Sequence, residues 1–290
     1  MSYTREPFEE LDVMNFFMFN KLTTEEETSE KFCRCMLRNL IGVEVDRITV
    51  RAEKIELPDD PQKRGVRLDV KIEEYEDERV ACIYDIEPHR DFEKDYPKKN
   101  RFTQAQIDKN NLESGENDFS KLPKLYIICI TNYDPFGYDR VLYTIKNQCV
   151  EEPELVYNDD VAILYFNTKG TKGGSESLKR FLRYLEESED SNAVDDATNE
   201  VKSYVGTIKR NYEIGGKYMT VGDLMDKIAA EAAAEKAAEM GAIIAQNELE
   251  LAQKDEVIAQ NKAELAQNKA AMAEKDAEIA ELKKKLGLSD

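Results

Sequence analysis

Between Arg79 and Arg90 the chain reads RVACIYDIEPHR, and no other stretch limits the fold as much. Val80, Ala81, Cys82, Ile83 and Tyr84 form the unbroken apolar run of a strand covered on both faces. Asp85, Glu87 and His89 then follow at every second position. Side chains alternate between the faces of a strand, so these three polar groups leave the sheet on one side. A strand that begins as core and ends in acids either emerges into water or carries a site.

The stretch RLDVKI, residues 67–72, supplies a neighbour. Leu68, Val70 and Ile72 alternate with Arg67, Asp69 and Lys71, and the acidic EEYEDE that follows turns the chain. Two such runs separated by a short polar connection predict a hairpin. Pairing of its strands brings the Asp69 and Glu87 carboxylates together at one edge of the sheet. Converging carboxylates remain ionised at low cost only with positive charge between them. A hard divalent cation such as Mg²⁺ meets that need through oxygen ligands and retained waters. It can also activate water and stabilise charge on a phosphate.

Around this hairpin the pattern predicts mixed strands and helices, an α/β or α+β layered body. Residues 10–42 read as mostly helix, with Thr24 and Glu27 as a capping pair for its second half and Gly42 as its stop. A strand is predicted at 48–57, a helix from Pro97 to near Gly115, and a buried strand at 122–131. VLYTIKNQ and VAILYFN read as further strands, and SESLKRFLRYLEES as an amphipathic helix. NEVKSYVGTIKRNYE reads as another helix, broken by Gly215-Gly216.

From about Val221 the composition shifts to Ala, Glu, Lys and Gln. Leu251, Ile258, Leu265, Met272, Ile279 and Leu286 fall seven residues apart, and Ala252, Ala259, Ala266, Ala273 and Ala280 keep the same step. A strict heptad predicts a left-handed supercoil with a partner helix. The complementary seam positions are Asn, Lys or Asp until Leu282, which makes the stripe narrow. A single solvated helix, favoured by alanine, is the other reading. The division is therefore a body at 1–215 and a helical extension at 216–290.

The formal net charge of −19 argues against a broad nucleic-acid-binding surface, because phosphates repel it. Contact with DNA or RNA then needs a local basic patch or metal ions. Arg90, Lys94, Lys98, Lys99, Arg101 and Lys109 form such a cluster, interrupted by Asp91, Glu93, Asp95 and Asp108. It reads either as a phosphate-facing patch or as a solvated helix face. The five cysteines include no C-x-x-C pair, and His89 is the one histidine, which disfavours a zinc site of ordinary spacing. Their odd number, with no secretion signal read at MSYTREPFEELD, fits a reducing cytoplasm. No apolar run approaches a membrane span.

RGVRLDVKI followed by CIYDIEPH resembles the PD-(D/E)xK nuclease core, and the continuation KKNRFTQAQIDKNNLESGENDFSKLPKLYIICITNYDPFG is similar to the segment after that motif in the Rpn/YhgA-like family. Members are described as recombination-promoting nucleases or as transposases of the PD-(D/E)xK type. LYTIKNQC and LYFNTKG also match, so the resemblance spans roughly residues 10–215. It implies a restriction-endonuclease-like core, a mixed sheet flanked by helices, with Asp69 and Glu87 as metal-binding acids. Asp85 shares the Glu87 face and is a candidate auxiliary ligand, although the family pattern often has a neutral residue there. His89 stands where the wider superfamily has Lys and this branch mostly Gln, and so would position water. Arg101 matches a helix Arg that would steady a phosphate. Arg38 stands where many relatives carry a Glu.

The expected activity is Mg²⁺-dependent hydrolysis of DNA phosphodiesters, with Mn²⁺ as a substitute, in a homo-oligomer joined through the C-terminal helix and linked to recombination or transposition. The alternative is a nuclease-like fold without activity, serving as an oligomeric scaffold or DNA-end binder.

Overall fold

The computed structural model describes residues 6–56, 66–92, 94–112 and 115–285, with 53–56, 66–67, 221–222, 224–235 and 284–285 described by backbone alone. Residues 1–5, Leu57, Glu93 and Leu286, used above, lie outside the described residues. Two compact units divide the chain, Met1–Thr220 and Val221–Asp290.

The first unit is an α/β body on a six-stranded mixed sheet. Its strands are β1 (Ile48–Glu56), β2 (Val66–Glu76), β3 (Arg79–His89), β4 (Lys124–Thr131), β5 (Leu142–Ile145) and β6 (Val161–Asn167), in the spatial order β1-β2-β3-β4-β6-β5. β1, β2 and β3 run antiparallel, β3, β4 and β6 run parallel, and β5 returns antiparallel on the edge. The predicted hairpin is present, with its turn at Asp77 and Glu78 and β2 continuing through most of the acidic EEYEDE.

One face of the sheet carries the main core. Val70, Ile72, Tyr84, Ile86, Ile128, Ile130, Leu164 and Phe166 meet α1 (Phe16–Thr24), α2 (Ser29–Ile41), α4 (Glu176–Glu186) and α5 (Asp196–Lys209) there. The other face carries a smaller core of Ile83, Leu125, Ile127, Cys129 and Tyr165 beneath Tyr96 and Ile107 of α3 (Tyr96–Asn110). The β3–α3–β4 crossover thus lays one helix across the face that the acids of β3 occupy. Four cysteines are buried and Cys149 is half-buried, as expected of small apolar residues.

Three local expectations are corrected. The cap of α2 is Thr28, not Thr24; Thr24 is the last residue of α1, where its hydroxyl donates to the Asn20 carbonyl at 2.8 Å. The helix after Pro97 ends at Asn110, short of Gly115. Gly215-Gly216 breaks nothing, because α5 has already ended at Lys209 and α6 (Tyr212–Lys285) runs through both glycines. Gly42 does stop α2, in the left-handed conformation at φ +70° that favours glycine.

The second unit is the remainder of α6. Leu251, Ile258, Leu265, Met272 and Ile279 are exposed along it, as is Ile244 one heptad earlier. No helix among the described residues is long and apolar enough to cross a membrane.

Candidate active site on the sheet face beneath α3

The register of the sheet assembles the site. Lys71 stands opposite Asp85 and Val70 opposite Ile86; Asp69 is the residue before Val70 on β2, and Glu87 the residue after Ile86 on β3. Glu87 pairs with Cys129, Cys129 with Tyr165, and Tyr165 with Tyr143. A single row therefore crosses four strands, acidic at β3 and aromatic at β6 and β5, and Asp69 of β2 lies near its acidic end, where its charge acts on Asp85. Asp85 and Lys71 lie one step below it, and His89 beside Thr131 one step above.

The polar end of this row is buried. Asp85 is fully inaccessible and Glu87 is 1% exposed, an arrangement that costs several kcal/mol per charge unless it is compensated. Glu87 is compensated at one oxygen, its Oε1 being buried without a hydrogen bond among the described residues. Its Oε2 accepts from Lys99 Nζ at 2.8 Å and from the Tyr96 hydroxyl at 3.3 Å, and lies 3.2 Å from His89 Nε2. Lys99 and Tyr96 come from the first turn of α3, Lys99 with its ammonium 5.2 Å above the Tyr96 ring. Asn100 holds the same turn down by donating to the Tyr165 hydroxyl at 2.9 Å.

Asp85 is different. Neither of its carboxylate oxygens has a hydrogen-bond partner among the described residues. Burial pushes its pKa well above the carboxylate range, helped by the charges of Glu87 and Asp69 and opposed by Lys99 and Lys71. Lys71, equally buried, turns toward Glu73 at 3.0 Å. Glu73 also accepts from Arg51 Nε and the Tyr75 hydroxyl, each at 3.2 Å.

His89 is held neutral. Burial and the Lys99 charge lower its pKa to about 3. A neutral ring that donates from Nε2 to Glu87 keeps its lone pair on Nδ1. Its edge packs on Tyr96, with ring centroids 4.3 Å apart.

The sheet register brings Asp69, Asp85, Glu87 and His89 together on one face. Arg101 stands apart on the exposed side of α3, one residue past buried Asn100. Arg38 serves the other face, where it pairs with Glu200 of α5. Lys99 and Tyr96 were not singled out by sequence pattern. Their signal is the spacing Tyr96, Asn100, Thr103, Ile107, a helix stripe too polar for an ordinary core yet buried throughout.

The donors fit a hard cation. They are carboxylate oxygens, and a buried carboxyl without a partner is what such an ion satisfies. Among the described residues no group of three or more His, Cys, Asp or Glu side chains is placed to hold a metal ion. Mg²⁺ ordinarily needs only one or two carboxylates, with waters filling the rest. A cleft of about 720 Å³ opens at the opposite end of β3 and β4, beside Arg47, Arg79 and Lys124, away from these acids. No family model, curated protein or solved structure matches the chain.

Proposed function

We propose that the protein is a Mg²⁺-dependent DNA endonuclease of the PD-(D/E)xK type, with Mn²⁺ able to substitute, which hydrolyses phosphodiester bonds at the β2–β3 acids. The observation that carries this reading is the buried Asp85 carboxyl, both oxygens without a hydrogen-bond partner among the described residues, within reach of the charges of Glu87 and Asp69. Asp69 and Glu87 would hold the divalent ion, with Asp85 as auxiliary ligand. When bound, the ion supplies positive charge for the phosphate oxygens and acidifies water.

The chain's own residues do the rest. His89 presents its Nδ1 lone pair as an acceptor that orients the attacking water. A ring whose pKa lies near 3 is too weak a base to hold an added proton at neutral pH, so His89 positions the water rather than deprotonating it. The water oxygen bonds to phosphorus and the bond to the leaving sugar oxygen breaks; the water gives up a proton to solvent, and solvent returns one to the departing oxygen, which leaves as a hydroxyl. Lys99 offsets the charge of Glu87, and Arg101 steadies a phosphate outside α3. Strand transfer in recombination or transposition would replace water by a DNA hydroxyl at the same atoms. Self-association through α6 would bring two such sites together on one DNA.

The Lys99–Glu87 contact favours a second reading. An ammonium already neutralising Glu87 suits a scaffold or DNA-end binder that needs no metal. Cleavage of supercoiled plasmid in Mg²⁺ or Mn²⁺ decides between them. Wild type is expected to nick the plasmid only with the ion present, and Asp69→Ala and Glu87→Ala to lose at least a hundredfold in rate. Concentrated wild-type protein that leaves the plasmid intact in both ions supports the scaffold instead.

A further inference from the structure

The row that begins with acids ends in aromatic rings, and the rings continue outward to solvent. His89 packs edge-on against Tyr96, Tyr96 lies 6.0 Å from Tyr165, and Tyr165 lies 5.0 Å from Phe136. Phe136 belongs to the loop NYDPFGYDR, residues 132–140, which leaves the C-terminal end of β4. A second pair, Phe92 and Tyr133, meets at 5.5 Å, with Phe92 three residues beyond His89. Phe92 is 66% exposed, Tyr138 70% and Phe136 37%. Large rings left in water beside a buried acidic site are not needed by the core, and such clusters mark interaction surfaces.

The loop is built to hold its rings in place. Asp134 accepts from the Tyr143 hydroxyl at 2.7 Å and from the backbone N–H of Phe136 at 3.1 Å. The Tyr143 hydroxyl in turn accepts from the N–H groups of Tyr138 and Arg140, each at 3.2 Å. Asn132 donates its N–H to the His89 carbonyl at 3.3 Å, which ties the loop directly to the end of the site strand. Gly170 admits the Arg140 backbone so closely that a Cβ there would lie 2.4 Å from the Arg140 carbonyl oxygen. Exposed rings on a fixed loop lose little entropy on stacking.

Charge selects the occupant. Tracking a duplex requires many cations on one face, and the chain carries a net charge of −19. The cations at this rim, Lys94, Lys98 and Arg101, are exposed but interleaved with Asp91 and Asp95, and Lys98 lies 3.5 Å from Asp95. They suit one or two phosphates. Aromatic stacking instead needs unpaired bases and works for every base, because each has a π face. The crevice beyond the C-terminal ends of parallel strands is also where open α/β sheets take ligands.

We propose that Phe92, Tyr133, Phe136 and Tyr138 form a base-stacking platform that selects single-stranded nucleic acid and leads its phosphate to the Asp69–Glu87 site. This names the substrate class of the site and rests on the cleavage reading above.

The test is fluorescence anisotropy with the full chain in Ca²⁺ and fixed salt, strand integrity being checked on a gel. The probes are a labelled mixed-sequence DNA strand, the same strand annealed to its complement, and its RNA counterpart. The single strand should bind at least tenfold more tightly than the duplex, and the DNA-to-RNA ratio assigns which unpaired strand is preferred. Phe92→Ala and Tyr138→Ala should each weaken single-strand binding by about fivefold or more, the range of a lost stack. Phe92→Tyr and Tyr138→Phe, which keep a ring, should bind as wild type. Equal affinity for duplex, alanine variants within twofold of wild type, or no binding at micromolar protein each overturns the platform. If rings govern single-strand binding but no strand is cut in Mg²⁺ or Mn²⁺, the cleavage reading fails and the platform stands. If plasmid is cut while ring removal changes nothing, the reverse holds.

Discussion

Asp85 and Glu87 sit two residues apart on the same strand face, both buried, yet their surroundings treat them oppositely. Glu87 receives Lys99, Tyr96 and His89, while Asp85 receives no hydrogen bond among the described residues. A buried acid of this kind lowers stability, and a protein keeps such groups where they serve a site. Asp85→Asn removes the burden of a buried carboxyl beside two other acids. In metal-free buffer it should raise the melting temperature by about 2–6 °C, corresponding to about 1–2 kcal/mol in a body of this size. A calorimetric scan showing a fall instead would mean that Asp85 is satisfied by its neighbours and has no stake in a cation. At this scale the sequence was informative about the strands and silent about the helix. Alternation alone put Asp85, Glu87 and His89 on one face, because a period of two needs no tertiary knowledge, and the hairpin brought Asp69 to them. Lys99 was hidden in a run of mixed charges, since only the docking of α3 decides which of Lys98, Lys99 and Arg101 turns inward.

The helices show why local signals were read well in some places and badly in others. Gly42 was legible because the left-handed stop it provides belongs to the chain itself. The cap of α2 was misassigned since Thr24 and Thr28 both precede acidic, helix-compatible residues, and the packing of α1 decides between them. Gly215 lies inside α6, where a Cβ would meet the Phe8 ring at 3.4 Å, an ordinary contact, so helix and packing both tolerate it. The Phe8 ring also meets Tyr218 of α6 at 5.6 Å. The best-formed start is that of α5. Asp195 accepts from the Thr198 N–H at 3.0 Å, Thr198 accepts from the Asp195 N–H at 3.0 Å, and Arg180 of α4 donates to Asp195 at 2.9 Å. Asp195→Ala loses the cap and this link between helices, and should cost about 1–2 kcal/mol. Urea unfolding with an unchanged m-value would register it, and a midpoint equal to wild type would show that the box contributes nothing.

The whole molecule joins a body whose burial the sequence predicted in outline to an extension whose apolar residues stay in water. Ile244, Leu251, Ile258, Leu265, Met272 and Ile279 keep one seven-residue step along α6, and each is exposed in the single chain. A second copy is the partner the heptad asks for, despite Asn261 and Asn268 in the adjoining seam. Sedimentation equilibrium should give a mass at least twice that of one chain, and Ile258→Lys with Leu265→Lys should return it to one. A monomeric wild type at tens of micromolar would leave α6 as a solvated spacer. The six-stranded order, with β5 reaching back to the edge, was beyond any local pattern, because strand neighbours are chosen by the closing of the core.

The start of the body is sealed by its last residues. Met14 donates its N–H to the Leu185 carbonyl, Val13 to the Ser188 hydroxyl, and Tyr218 donates its hydroxyl to the Glu6 carbonyl. During synthesis, therefore, Phe8 and Phe17 wait for Tyr218 before their rings are covered.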